Sequence, residues 1–185
     1  MTPELPAPSD GYQSPRELLG QLEAHVGTRR AAELCADLLA TDDPHEHPET
    51  VLFLGGAAGQ SILDDGTSWK PYWTRVWGAR GLLYVWHDEV APVVLRRLAD
   101  EHWRVAEMCL KVSARRELPC GEDAVRLASH ELPRVRATAA RALAVGGDTE
   151  HVAAVQHLLE DPSEEVRRAA ARAYEQMTTR LDLDT

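Results

Sequence analysis

Leu159-Glu160-Asp161-Pro162-Ser163-Glu164-Glu165-Val166-Arg167-Arg168-Ala169-Ala170 is the stretch that decides the fold. Asp, Pro and Ser mark a turn, two glutamates fit the first turn of a helix, and Val166, Ala169 and Ala170 begin an apolar face at helical spacing. Working back from it, the same pattern recurs at Arg134-Val135-Arg136, Arg104-Val105 and Arg75-Val76, with the valines 31, 30 and 29 residues apart. Helix breakers follow each helix-length segment, at His87-Asp88, Pro119-Cys120-Gly121 and Gly146-Gly147-Asp148. A second, shorter helix then precedes the next valine. A period near thirty with two helices per period describes helical hairpins stacked side by side, each supplying the apolar cover its neighbour lacks. In the second helices the expected core positions are Val94 and Leu98, then Ala124, Leu127 and Ala128, then Val155, Leu158 and Leu159.

At these residues the sequence resembles HEAT-repeat proteins, most closely the short bacterial repeats of the phycobilisome-lyase type. The quoted stretch carries the match, with Leu98-Ala99-Asp100-Glu101-His102-Trp103-Arg104-Val105 beside it and Val135-Arg136-Ala137-Thr138-Ala139-Ala140 a looser copy. The resemblance implies an all-α fold, a right-handed α–α superhelix of hairpins. It also implies an aspartate five residues before each valine, capping the first helix and pairing with a ladder arginine. Asp100 and Asp161 fit, whereas Pro71 and His130 depart and interrupt the ladder. The repeats are expected over 71–178, with a short tail over 179–185.

Upstream, residues 1–13 hold three prolines and little apolar content, which predicts a disordered tail. Residues 14–70 read as irregular helical hairpins. Ser14-Pro15-Arg16-Glu17 has the form of a capping box, Gly27 ends the first helix, and Thr28 is expected to cap the second. Ala31, Leu34, Cys35, Leu38 and Leu39 then line one face. The run Gly55-Gly56-Ala57-Ala58-Gly59-Gln60-Ser61 is not a phosphate loop, since Gln60 stands where lysine is required. It predicts a single helix from about 49 to 63 with a small face for close approach by another helix.

The net charge of −10 disfavours a general nucleic-acid binder and adhesion to anionic lipid. The excess is uneven: residues 1–50 carry ten acids against three bases, and 71–120 carry eight bases against six acids. Three cysteines without a CxxC pair give no disulfide framework, and Met1–Tyr12 lacks the apolar core of a signal peptide. No apolar run approaches the roughly twenty residues of a membrane span. A cytoplasmic protein is expected.

The function expected is protein–protein interaction, as an adaptor binding a partner on its concave face. Arg96, Arg126 and His157 occupy equivalent places on successive second helices, with Arg97 beside them, and suggest a basic stripe for an acidic protein or peptide. Trp73, Trp77 and Trp103 belong to an aromatic group that includes Trp69 and offers binding anchors or a junction filling. The same tryptophans with Asp88 resemble the nucleotide grip of HEAT-like DNA glycosylases acting on alkylated bases. The spacing is not clearly matched, and the acidic charge opposes duplex binding. A chromophore-lyase-like accessory is the other alternative that the resemblance raises. His45, His47, Asp42, Asp43 and Glu49 are a loose set in a flexible turn, so no metal or cofactor is expected. No cysteine has a His–Asp arrangement for nucleophilic catalysis.

Overall fold

A computed structural model describes residues 5–64 and 70–183; Trp69 of the aromatic group lies outside the described residues. These residues form α-helices α1 (Pro15–Val26), α2 (Thr28–Ala40), α3 (Pro48–Gly55), α4 (Ala57–Asp64), α5 (Tyr72–Gly81) and α6 (Ala91–Arg96). Then come α7 (Trp103–Arg116), α8 (Gly121–Ala128), α9 (Pro133–Gly146), α10 (Val152–Leu158) and α11 (Glu164–Leu181), with short 3-10 turns and no strand among the described residues. The fold is all-α, as expected. Contacts divide the chain into two compact units, Met1–Val94 and Leu95–Thr185.

In the first unit α1 starts at the capping box. Ser14 Oγ accepts from the Glu17 N–H, and a Glu17 carboxylate oxygen accepts from the Ser14 N–H at 2.9 Å. Gly27, at φ +80°, closes α1 and is itself the cap residue of α2. Thr28 is not the cap: it already lies within α2, and its hydroxyl is 2.7 Å from the carboxylate of Glu23. The α2 face of Ala31, Leu34, Cys35, Leu38 and Leu39 is buried.

The helix expected over 49–63 is two helices. Gly56 has φ +56°, which breaks the helical path, and the Ala57 N–H donates to Gly11 O at 2.8 Å. A side chain at Gly56 would meet that same Gly11 oxygen, so glycine is required on both counts. The small face still serves close approach: Gly55 lies against the ring of Trp77. Gly11 runs against this region through Ala57, and Ser9 is tied to α1, its N–H donating to the Gln21 side-chain oxygen at 3.1 Å.

Helix α5 carries Val76, the first of the register valines, and packs on α2. The reason is backbone proximity. A Cβ at Gly78 would stand 2.5 Å from Leu39 N and 2.6 Å from Cys35 O, so the helices meet with no side chain between them at this point. Arg75, 2% exposed, forms an ion pair with Asp42.

The second unit is regular. Val105, Val135 and Val166 are fully buried at the starts of α7, α9 and α11, and α9 packs against both other first helices. Helices α8 and α10 form the other layer, holding Ala124, Leu127, Ala128, Val155 and Leu158 inward. Leu159 is only half-buried. Helix α9 buries five alanines in addition to Val135 and Leu143, which lets its neighbours approach on both sides.

Candidate functional site

Each repeat turn of the second unit is closed by polar side chains. Asp161 accepts from the Ser163 N–H at 2.8 Å and receives a bidentate pair from Arg136, at 2.7 and 2.8 Å. The Arg136 guanidinium holds the Asp161 carboxyl below the usual aspartate range, reinforced by the backbone bond from Ser163. Arg136 also donates to His130 O and Glu131 O, bracing its own turn, and Arg167 repeats that brace on Asp161 O and Pro162 O. Asp100 caps in the same way, accepting from the His102 N–H at 2.9 Å, and pairs with Arg97 from its own turn. These rungs are structural.

Of the stripe expected on the second helices, Arg96, Arg126 and His157 are exposed and Arg97 is partly buried. Arg126 spans two tasks: it donates to Leu98 O at 3.0 Å, at the end of the preceding helical segment, and pairs with Asp123 at 2.7 Å. Arg180 similarly reaches Ala144 O and Gly147 O past the end of α9. Cations at helix C-termini satisfy orphan carbonyls and complement the helix dipole. The aromatic residues separate as well. Trp77, 6% exposed, is an interior side chain, with Trp73 partly buried beside it at 6.4 Å between ring centroids. Trp103 belongs to the second unit and is partly buried. Asp88 accepts from the Trp86 indole N–H at 2.8 Å.

The bases and acids are unevenly distributed along the chain. The first unit has six bases against fourteen acids, the second fourteen against sixteen. Within the second unit, α7, α9 and α11 hold eleven of the bases and only four of the acids. Helix α9 has no acid at all. The turns and remaining segments of that unit therefore carry three bases and twelve acids.

The first-helix layer presents one continuous face, shown by ion pairs that cross it. Arg134 of α9 reaches Glu107 of α7 at 3.0 Å, and Arg141 of α9 approaches Glu165 of α11 at 3.8 Å. Glu107 is buried and also takes Lys111 at 2.9 Å, so one carboxylate is shared by two cations. At the edge of this face Arg104 and Arg134 lie over the Trp103 ring, 4.3 and 5.0 Å from its centroid. His102 stacks on Trp103 at an interplanar angle of 20°. The helix period alone could have found Arg104, Lys111, Arg134 and Arg141 by marking which face of each first helix the valines leave outward.

Three further groups carry less. One set of three potential metal ligands converges among the described residues, Glu122, Glu150 and His151; the His45 and His47 set does not. The Asp148 N–H donates to His151 Nδ1 at 2.8 Å, which leaves the imidazole proton on Nε2, the atom facing the two carboxylates at 3.8 Å. A ligating histidine needs the reverse tautomer. In the first unit a cavity of about 780 Å³ is lined by His25, Arg30, His47 and Glu49 and bordered by Leu5, whose N–H donates to Glu49. All three cysteines are free and buried; desolvation pushes Cys35 and Cys109 far above the ordinary thiol value and Cys120 up to about 11.

The fold and its turn rungs define a helical-repeat protein. Residues 122–185 match the family model for HEAT repeats. It is similar to two engineered proteins solved by a structural genomics consortium. One is 20% identical over 91% of this chain and 86% of that one, with a TM-score of 0.57. The other is 18% identical over 91% and 88%, also at 0.57. The complex of CpcE and CpcF of phycocyanin lyase from Nostoc sp. PCC7120 contains a similar chain, 18% identical, covering 97% of this chain and 70% of that one at a TM-score of 0.56. These likenesses establish the fold alone. No curated protein matches the sequence. Among the described residues no helix is long and apolar enough to cross a membrane.

Proposed function

We propose that this chain is a cytoplasmic protein-binding adaptor whose docking surface is the outer face of α7, α9 and α11. The observation that carries the reading is the excess of bases on these three helices in a chain of net charge −10: apart from Arg136, Arg167 and Arg180, which serve turns and helix ends, eight bases stand there against four acids. A charge-segregated face on a rigid helical layer steers and orients a partner more than it stabilises the fold. The CpcE–CpcF complex supports the class, because there a similar chain is assembled with another protein chain. The stripe of Arg96, Arg97, Arg126 and His157 is the weaker choice, since Arg97 and Arg126 already serve turns and helix ends. Trp77 is buried and Trp73 partly buried beside it, which favours a packing role for this pair in the first unit.

The test is affinity capture with three forms of the chain: wild type, R141E/R168E on the first-helix face, and R96E/R126E on the second helices. A defined protein retained by the wild type and the R96E/R126E form, and lost with R141E/R168E, supports the reading. Retention by R141E/R168E at the wild-type level, or no specific protein at all, overturns it.

A further inference from the structure

Residues 5–13 form no helix, yet they follow a defined path over the first unit. The Leu5 N–H donates to Glu49 of α3, and the Ser9 N–H and hydroxyl both donate to the Gln21 side-chain oxygen of α1 at 3.1 Å. Gln13 accepts from the Gln21 amide. Gly11 O accepts from the Ala57 N–H at 2.8 Å, one of the donors that the start of α4 leaves without a partner inside the helix. This strap ties to three helices and sinks into none of them. None of residues 5–13 is buried, and Tyr12 is 89% exposed. Ala7, Pro8, Gly11 and Tyr12 leave a cavity of about 300 Å³ against Leu52 and Gln60. A segment held by a few hydrogen bonds, without buried apolar area, gains little over the chain entropy lost in ordering it.

The surface beneath is fixed where the strap is not. Gly56 is buried at φ +56°, a side chain there would meet Leu18 as well as Gly11 O, and Leu18, Val51, Phe53 and Leu54 around it are buried. The strap also shows what this surface accepts. Pro6 and Pro8 fix their own φ and keep the residues before them extended. The narrow point is Gly11, where a Cβ would stand 3.2 Å from Ala57 N and crowd the α4 backbone.

We propose that the groove of α1, α3 and α4 is a docking site for an extended, proline-containing segment of a partner protein, which residues 5–13 occupy in cis as a displaceable mimic. The partner segment presents a carbonyl to the Ala57 N–H at a glycine and meets the Gln21 amide beside it. Its affinity is reduced by the fraction of chains whose strap is closed, so release of the strap gates docking. The site lies wholly in the first unit and does not depend on the reading of α7, α9 and α11.

The probe is a fluorescein-labelled peptide of residues 5–13, titrated by anisotropy into the full chain. G11V in the chain disturbs the strap and leaves every groove residue in place. The peptide should bind the G11V chain at least roughly tenfold more tightly than the wild type, as expected when a strap closed in nine chains of ten is released. Amide exchange at Ala57 should quicken in G11V and slow again when the peptide is added. A peptide that itself carries Gly11→Val should bind neither chain well, and Q21A added to G11V should weaken the gain. P6G/P8G loosens the strap through chain entropy alone and should give a smaller gain in the same direction, which keeps the test decisive if a thermal melt shows that G11V has lost its fold. Equal affinity of the peptide for the wild type and both strap variants overturns the proposal. So does unchanged exchange at Ala57 in both variants, or a scrambled peptide that binds as tightly.

Discussion

The two units of this chain are built from the same element, a short amphipathic helix, and hold it in place by different means. In the first, α5 rests directly on the backbone of α2 at Gly78, and Arg75 is buried against Asp42. In the second, α9 sits between α7 and α11 through alanines, and the turn beneath is fastened by Arg136 and Asp161. The first arrangement is particular to its residues and tolerates little change in volume. The second is a unit that repeats, so its sequence signature repeats with it. Charge separates the two further, with eight excess acids in the first unit and two in the second.

The largest effect expected from breaking this contrast is at Gly78. Gly78→Val places atoms where Leu39 N and Cys35 O already stand and should destabilise the first unit by about 3 kcal/mol or more. Denaturant unfolding measures it, and an unchanged midpoint would refute the close-approach account.

Asp161→Asn probes the repeat-specific fastening. It removes the charge that a largely buried Arg136 faces and should cost about 2 kcal/mol. The pH dependence sharpens the point. Because the folded Asp161 carboxyl lies below its ordinary value, its contribution is present above the unfolded-state value and disappears as pH falls through the lowered folded value. The acid side of the stability profile should therefore be shallower in Asp161→Asn than in the wild type.

A smaller loss, about 1 kcal/mol, is expected for Ser14→Ala, which removes the hydroxyl that accepts from the Glu17 N–H and donates to the Glu17 carboxylate, and leaves the Ser14 N–H half of the α1 capping box in place. Smaller still is Arg168→Glu. Its side chain is 66% exposed and pairs only along its own helix with Glu164, so stability should move by no more than about 0.5 kcal/mol. The thiols give a check without mutation: Cys35, Cys109 and Cys120 should resist alkylation in the folded chain and react together on unfolding.

Much of the second unit was legible because a repeat states its packing several times. Val105, Val135 and Val166 were recognised by spacing alone and all three are buried. The ladder aspartates Asp100 and Asp161 were legible through the family resemblance, whereas the choice of Arg136, 25 residues away, as the partner of Asp161 was not. The candidate surface was less so. Arg126 looked available because a sequence displays charge without displaying the Leu98 carbonyl that occupies it, 28 residues away. Trp77 had the profile of an anchor, and nothing nearby in the chain announces that its ring lies against Gly55.

What the sequence by itself determined is the helical period, the register valines, the α1 cap and the acid–arginine turn of the last repeat. The cap and the helical period depend on residues within a few turns of one another, and the valines and the turn aspartate recur at the repeat spacing, so that spacing and side-chain chemistry are sufficient. Only the tertiary structure decided that Gly56 divides one apolar run into two helices, that α5 lies on α2, and that Arg104 and Arg134 share one tryptophan. Those outcomes depend on which distant backbone or ring comes within contact distance, and that is set by how whole helices fill space.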